Sequence, residues 1–166
     1  MRRLTFVILL GLTCILHAPS AAMAQGTGVS FGVLQTDTSQ PVDIASDNMS
    51  VNQEDGSALL TGNVLIIQGE MRLSADNVLV VRRTEGNGIE RLEARGNVLL
   101  VSGEDAAEAR EADYTIQSGT VVMRGNVLLT QQGTTLGAEQ MTVNMTTGNA
   151  TLSGRVRTTL PGSGGN

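Results

Sequence analysis

Four acidic residues recur in one local setting, a small residue before them and a β-rich stretch after. The copies are Ser46-Asp47-Asn48-Met49-Ser50-Val51, Ala75-Asp76-Asn77-Val78-Leu79-Val80, Ala112-Asp113-Tyr114-Thr115-Ile116 and Ala138-Glu139-Gln140-Met141-Thr142-Val143. Paired carboxylates can divide general acid and general base work between them. A position that returns four times is better explained by a repeat's geometry, such as a turn or an edge charge that discourages sticking. Glycines 26, 28 and 32 resemble a phosphate loop only in composition, because no patterned strand precedes them and no helix pattern follows.

Most other reaction chemistry leaves with the first residues. Arg2 and Arg3, the apolar run Leu4 to Leu16 and Ala22-Met23-Ala24 have the form of a secretory signal, so a mature chain beginning at Gln25 is expected. About 13 apolar residues fall short of the roughly 20 that a membrane span needs. Thr13 before Cys14 is not the small residue that lipoprotein processing wants. Without residues 1–24 the chain has no Cys, His or Lys, and its nine Arg against sixteen Asp plus Glu give −7 by difference. Thiol chemistry, His-based triads, Schiff bases and Cys/His metal sites are then excluded. The acidic balance argues against nucleic acid, whose binding rests on Lys and Arg. No cofactor-binding pattern is present, and no metal-ligand spacing either.

The elements that position these residues carry a second repeat. Gly62-Asn63-Val64-Leu65-Ile66, Gly96-Asn97-Val98-Leu99-Leu100 and Gly125-Asn126-Val127-Leu128-Leu129 are followed by a degenerate Gly154-Arg155-Val156-Arg157-Thr158. The glycines are 34, 29 and 29 residues apart (96−62, 125−96, 154−125), an interval that marks stacked supersecondary units. Aligned on the glycine, one parity is apolar: Ala58, Leu92, Val121 and Ala150; Leu60, Ala94, Met123 and Leu152; Val64, Val98, Val127 and Val156; Ile66, Leu100, Leu129 and Thr158. The flanking Thr61, Arg95, Arg124 and Ser153, with Asn63, Asn97, Asn126 and Arg155, are polar. Half-buried strands follow from that alternation. A glycine in the middle of each marks a bend or bulge. The acid-led stretches are a second strand, so each repeat is a strand pair and the class is all-β.

Pro41 and Pro161 bound the patterned region, so residues 41–160 form one domain, 25–40 a flexible lead and 161–166 a loose tail. The spacing fails between Asp76 and Asp113, where Glu104 to Glu111 favours helix. A solvated loop or short helical turn is expected there. Arg82, Arg83, Arg95, Arg124, Arg155 and Arg157 could meet an anionic group, or could be solvated outer-face residues. The residues alone leave three classes open: a lipid-carrying protein, an adhesive or structural β-array without lipid, and a carbohydrate-active β-helix enzyme.

Ile44-Ala45-Ser46-Asp47, Leu60-Thr61-Gly62-Asn63-Val64, Gln68-Gly69 and Leu73-Ser74-Ala75-Asp76-Asn77-Val78 resemble the OstA-like domain of periplasmic lipopolysaccharide transport proteins. Val122 to Leu129 and Gly137 to Val143 continue the likeness, which covers roughly 42 to 158 and departs over 82 to 118. The resemblance implies a V-shaped or slightly open β-jellyroll that holds lipid A acyl chains between its two sheets. It implies a non-enzymatic protein of the periplasm that bridges inner and outer membranes. It also implies edge-to-edge self-association, head to tail, and partners of related β fold in both membranes. The related inner-membrane-anchored component of the same pathway is the alternative, which a cleavable signal disfavours. The inward lipid-binding residues are then Leu60, Val64, Ile66, Leu92, Val98, Leu100, Val121, Met123, Val127, Leu129, Leu152 and Val156. Joining edges are expected near Val42 to Val51 and near Ala150 to Leu160.

Overall fold

The computed structural model describes residues 27–30, 39–84, 86 and 88–160. The expected signal, most of the lead and the tail lie outside them. The strands are β1 (Thr27–Ser30), β2 (Asp43–Ala45), β3 (Asn48–Val51), β4 (Ala58–Gln68), β5 (Met71–Arg82), β6 (Ile89–Ser102), β7 (Asp105–Thr115), β8 (Thr120–Gln131), β9 (Thr134–Asn144), β10 (Asn149–Ser153) and β11 (Arg157–Thr159). They form one antiparallel sheet in the order β1-β10-β9-β8-β7-β6-β5-β4-β2, with β3 also on β4 and β11 also on β9. No helix occurs among the described residues.

Every long strand is folded near its middle, and the Gly-Asn phrase makes the fold. Gly62 and Asn63 have φ of 79° and 45°, and the pairs 96/97, 125/126 and 154/155 repeat this. Two successive left-handed residues are affordable because glycine has no Cβ and asparagine tolerates that region better than most residues. At each such point two residues oppose one on the neighbour: Thr61 pairs Asn77 and Val64 pairs Ala75, leaving Gly62 and Asn63 opposite Asp76. The sheet is thereby creased into two wings. Wing one carries β1, β3, β10 and the crease-side halves that include Leu60, Val78, Leu92, Tyr114, Val121 and Val143. Wing two carries β2, β11 and the halves that include Ile66, Leu73, Leu100, Ala107, Leu129 and Leu136. The V-shaped or slightly open β-jellyroll expected from the resemblance is the observed architecture.

The recurring acids belong to the crease. A methyl on Gly62 would lie 2.5 Å from Asp47 Oδ2 and 3.0 Å from its Cβ, and Asp76 and Glu139 stand in the same way over Gly96 and Gly154. Asn63 Nδ2 donates to Asp47 Oδ2 at 2.8 Å, Asn97 Nδ2 to Asp76 Oδ2 at 2.8 Å and Arg155 Nε to Glu139 Oε1 at 2.7 Å. The backbone N–H of Asp47 donates to the Gly62 carbonyl at 2.9 Å, and that of Glu139 to Gly154 at 3.0 Å. Acids close three of the four bends, which is the geometric role the repeat suggested.

Three expectations change. Asp113 is not the third member of the acid series, because Arg110 stands over Gly125 instead. Crease residue and glycine are 15 apart at 47/62, 110/125 and 139/154 but 20 apart at 76/96 (62−47, 125−110, 154−139, 96−76). The extra residues therefore lie in the β5–β6 turn, not at Glu104 to Glu111. That stretch is strand, since Asp105 and Ala107 point inward while Glu108 and Arg110 point out, and the two-residue period overrides local helix preference. Thr27–Ser30, within the presumed lead, is β1, where it pairs β10 and packs Val29 against the core.

Candidate functional site

The facing sides of the two wings meet in one interior, built mainly of aliphatic side chains from every long strand. Leu60, Ile66, Leu92, Leu100, Val121, Met123, Leu129 and Leu152 are fully buried there, and Val64, Val98 and Val127 almost fully. Val156, in the degenerate copy, is half-buried and packs on the same cluster. All twelve residues selected by parity thus face one interior, while Asn63, Asn97 and Asn126 are exposed on the outside of the crease.

The alternate strands supply as much of this lining, and parity counting from the glycines did not select them. Met71, Leu73, Val78, Tyr114, Met141 and Val143 are buried. On β5 the inward residues are Met71, Leu73 and Ala75 before the crease but Val78 and Val80 after it. The parity slips because Asp76 and Asn77 both face outward at the bulge. The signal was available as an apolar alternation that shifts by one residue beside each acid.

Polar side chains tie the wings together at their far margins. Tyr114, on wing one, donates its hydroxyl to Gln68 Oε1 on wing two at 2.5 Å. Gln68 Nε2 donates onward to the Gln40 carbonyl at 3.0 Å. Desolvation by burial pushes the Tyr114 hydroxyl up to about 12, so it is a donor throughout the ordinary pH range. Nearer β1, Gln131 Nε2 donates to the Ser30 carbonyl at 2.9 Å and to Asp105 Oδ2 at 2.7 Å.

The lining surfaces at one end. Met49 and Val51 of β3 pair Leu60 and Ala58 and share their face, yet are 62% and 58% exposed, because among the described residues no strand lies beyond them. With Ala58, Val80 and Ile89 they border an apolar cavity of about 380 Å³, flanked by Arg82. The other five arginines singled out earlier are differently placed. Arg95 and Arg124 donate to Asp113 at 2.8 and 2.7 Å, and Arg155 is held by Glu139. Arg83 borders a separate, polar depression, and Arg157 lies on exposed β11. Burial disfavours the Asp113 carboxylate, but the two guanidinium hydrogen bonds and charges outweigh this and hold it below its ordinary value.

Residues 43–149 match the family described as LptA/(LptD N-terminal domain) LPS transport protein. The chain belongs to this family. An uncharacterized protein of Rhizobium meliloti (strain 1021) is 33% identical over 112 residues, covering 63% of this chain and 60% of that one. The lipopolysaccharide export system protein LptA of Haemophilus influenzae is 36% identical over 77 residues, covering 46% and 44%. The chain thus spans between two-fifths and two-thirds of the length of these relatives. The solved structure of LptH, the LptA homologous periplasmic component of the lipopolysaccharide transport device of Pseudomonas aeruginosa, superposes with a TM-score of 0.65. It covers 76% of this chain and 99% of LptH at 16% identity, which establishes a shared fold.

Proposed function

We propose that this chain is a non-enzymatic periplasmic carrier of lipopolysaccharide, which receives lipid A acyl chains between its wings and bridges inner- and outer-membrane transport proteins of related fold. The supporting observation is the unbroken aliphatic lining, contributed by all long strands and emerging at Met49 and Val51. Alkyl chains need burial rather than directed hydrogen bonds, and burying ten methylenes is worth roughly 8 kcal/mol. Parting the wings breaks a few hydrogen bonds worth about 1 kcal/mol each. Alkyl burial is the main source of affinity that such an interior offers. The lipid's anionic head group meets Arg82 at the cavity rim, whereas the chain's overall acidity makes charge a minor source of affinity.

Head-to-tail self-association follows from the two unlike ends of the sheet, β2/β3 and β1/β11. Photoreactive residues placed at Val64 or Leu129 are expected to crosslink to lipopolysaccharide in envelopes, and one at Asn63 is not. Equal yields from the three positions would remove the interior from the lipid path.

The complete burial of Leu60, Ile66, Leu100 and Leu129 favours one competing reading, a structural β-array whose interior is simply its core. Such a protein would give no lipid adduct from Val64, and its depletion would leave outer-membrane assembly intact.

A further inference from the structure

The two ends of the sheet can be superposed through the crease repeat, because Gly154 corresponds to Gly62. On that equivalence Ala150, Thr151 and Leu152 of β10 correspond to Ala58, Leu59 and Leu60 of β4. Strand β3 covers one edge of β4 through Val51↔Ala58, Ser50↔Leu59 and Met49↔Leu60, as β9 covers β10, and β5 covers the other edge through Val80↔Ala58, Leu79↔Leu59 and Val78↔Leu60. Strand β1 covers β10 through Val29↔Ala150, Gly28↔Thr151 and Thr27↔Leu152. Thus β1 occupies on β10 the edge, direction and register that β5 occupies on β4, with Val29 in the place of Val80, and that is the edge on which a second copy's β3 would continue the sheet, with Val51 opposite Ala150. On wing two, β11 corresponds to Leu65–Ile67, which hold β2 on one edge and β5 on the other; β9 takes the first of these edges on β11. No further strand covers β11 among the described residues.

We infer that β1 is an internal placeholder for strand β3 of a second copy of this chain, and that head-to-tail growth proceeds by its displacement. The inference rests on the head-to-tail reading above and adds its control. An arriving copy's β2 can pair β11 at once, with Ala45, Ile44 and Asp43 meeting Arg157, Thr158 and Thr159. Its β3 can pair β10 only after β1 leaves. The exchange is nearly balanced locally, since one four-residue strand replaces another and one inward valine replaces another. The net drive is the extra β2–β11 ladder. Until a copy arrives, β1 covers N–H and C=O groups that would otherwise accept any strand. Gln131 Nε2, by donating to the Ser30 carbonyl, holds the placeholder to the opposite wing.

A cysteine pair tests this. Gly28 and Thr151 are paired, exposed residues, and a side chain at Gly28 meets nothing within 4 Å. Antiparallel partners lie about 4.5–5.5 Å apart, within disulfide reach. In a Cys14→Ser background, Gly28→Cys/Thr151→Cys is compared oxidised and reduced by light scattering across concentration, beside Val29→Asp and Gly28→Pro. The oxidised form is expected to remain monomeric where its reduced form associates. Both β1-weakening variants are expected to associate at roughly tenfold lower protein concentration. Equal association of the oxidised and reduced forms would overturn the placeholder while leaving head-to-tail assembly standing. Absence of association in every form, including the two weakened variants, would overturn the head-to-tail reading and the exchange with it.

Discussion

The two ends of the sheet are built from the same repeat and finished differently. At the β3 end, Met49 and Val51 present the interior's own face to solvent. At the β10 end, β1 covers Ala150 and Leu152, and its own inward residue Val29 is half-buried against the core. The sheet therefore has one end that shows its apolar lining and one that hides it. A repeat array whose internal units are equivalent can still be directional, because its first and last described strands, β1 and β11, both lie at one end.

Paired substitutions at the two ends separate them most widely. Leu152→Ala removes a buried side chain and is expected to cost about 2–5 kcal/mol in urea unfolding. Met49→Ala, on the exposed strand β3 at the other end, should stay within about 0.5 kcal/mol. Similar costs would mean that the ends are finished alike. The crease glycines come next: Gly62→Ala meets both a positive φ and the Asp47 side chain, and should cost about 1–3 kcal/mol by the same measurement. Gly154→Ala, with Glu139 over it, should cost about the same, because the crease itself does not distinguish the ends.

Smaller effects come from the polar ties. Tyr114→Phe deletes a buried hydrogen bond between the wings and is expected to lower stability by about 1–2 kcal/mol. Because burial raises the tyrosine's folded value to about 12 from 10.0, its contribution is complete below pH 10 and is lost as pH rises toward 12. Gln131→Ala, at the tie to β1, should cost less, about 0.5–1 kcal/mol, and should expose β1 amides to hydrogen exchange before any others in wing one. The smallest shift belongs to Asp113, midway between the ends. Its folded value is depressed, so its contribution is present above pH 3.8 and disappears as pH falls through the lower folded value. Asp113→Asn is expected to remove that slope from an acid-unfolding profile without altering either end.

The sequence made the strand half of this fold legible wherever parity was unbroken. Leu60, Val64 and Ile66 keep one parity through Gly62, so their common face could be read directly, and the outward Asn63 with it. The alternate strands change parity at a bulge, and counting by two from Ala75 reaches Asn77 instead of Val78. Arg110 was hidden for a related reason. Ala112-Asp113 imitates the small-residue-plus-acid phrase three positions late, and only the strand register shows that Arg110 fills the crease. Glu104 to Glu111 misled because helix preference is local, whereas the pairing of Ala107 with Leu100 and Leu129 is not. Composition gave no sign of β1. Its Gly, Ser and Thr allow a strand without announcing one, and its value lies in covering another strand's edge.

The crease closes through neighbours 15 residues apart, and its glycines recur every 29 residues once the β5–β6 turn is set aside (125−96, 154−125). Two strands are added per recurrence, each about 4.8 Å wide, so the enclosed space lengthens in steps of about 10 Å. Length in this architecture is quantised. Duplicating one 29-residue unit would extend the interior by a fixed increment and leave both ends chemically as they are, so that span could change in evolution without renegotiating the joint.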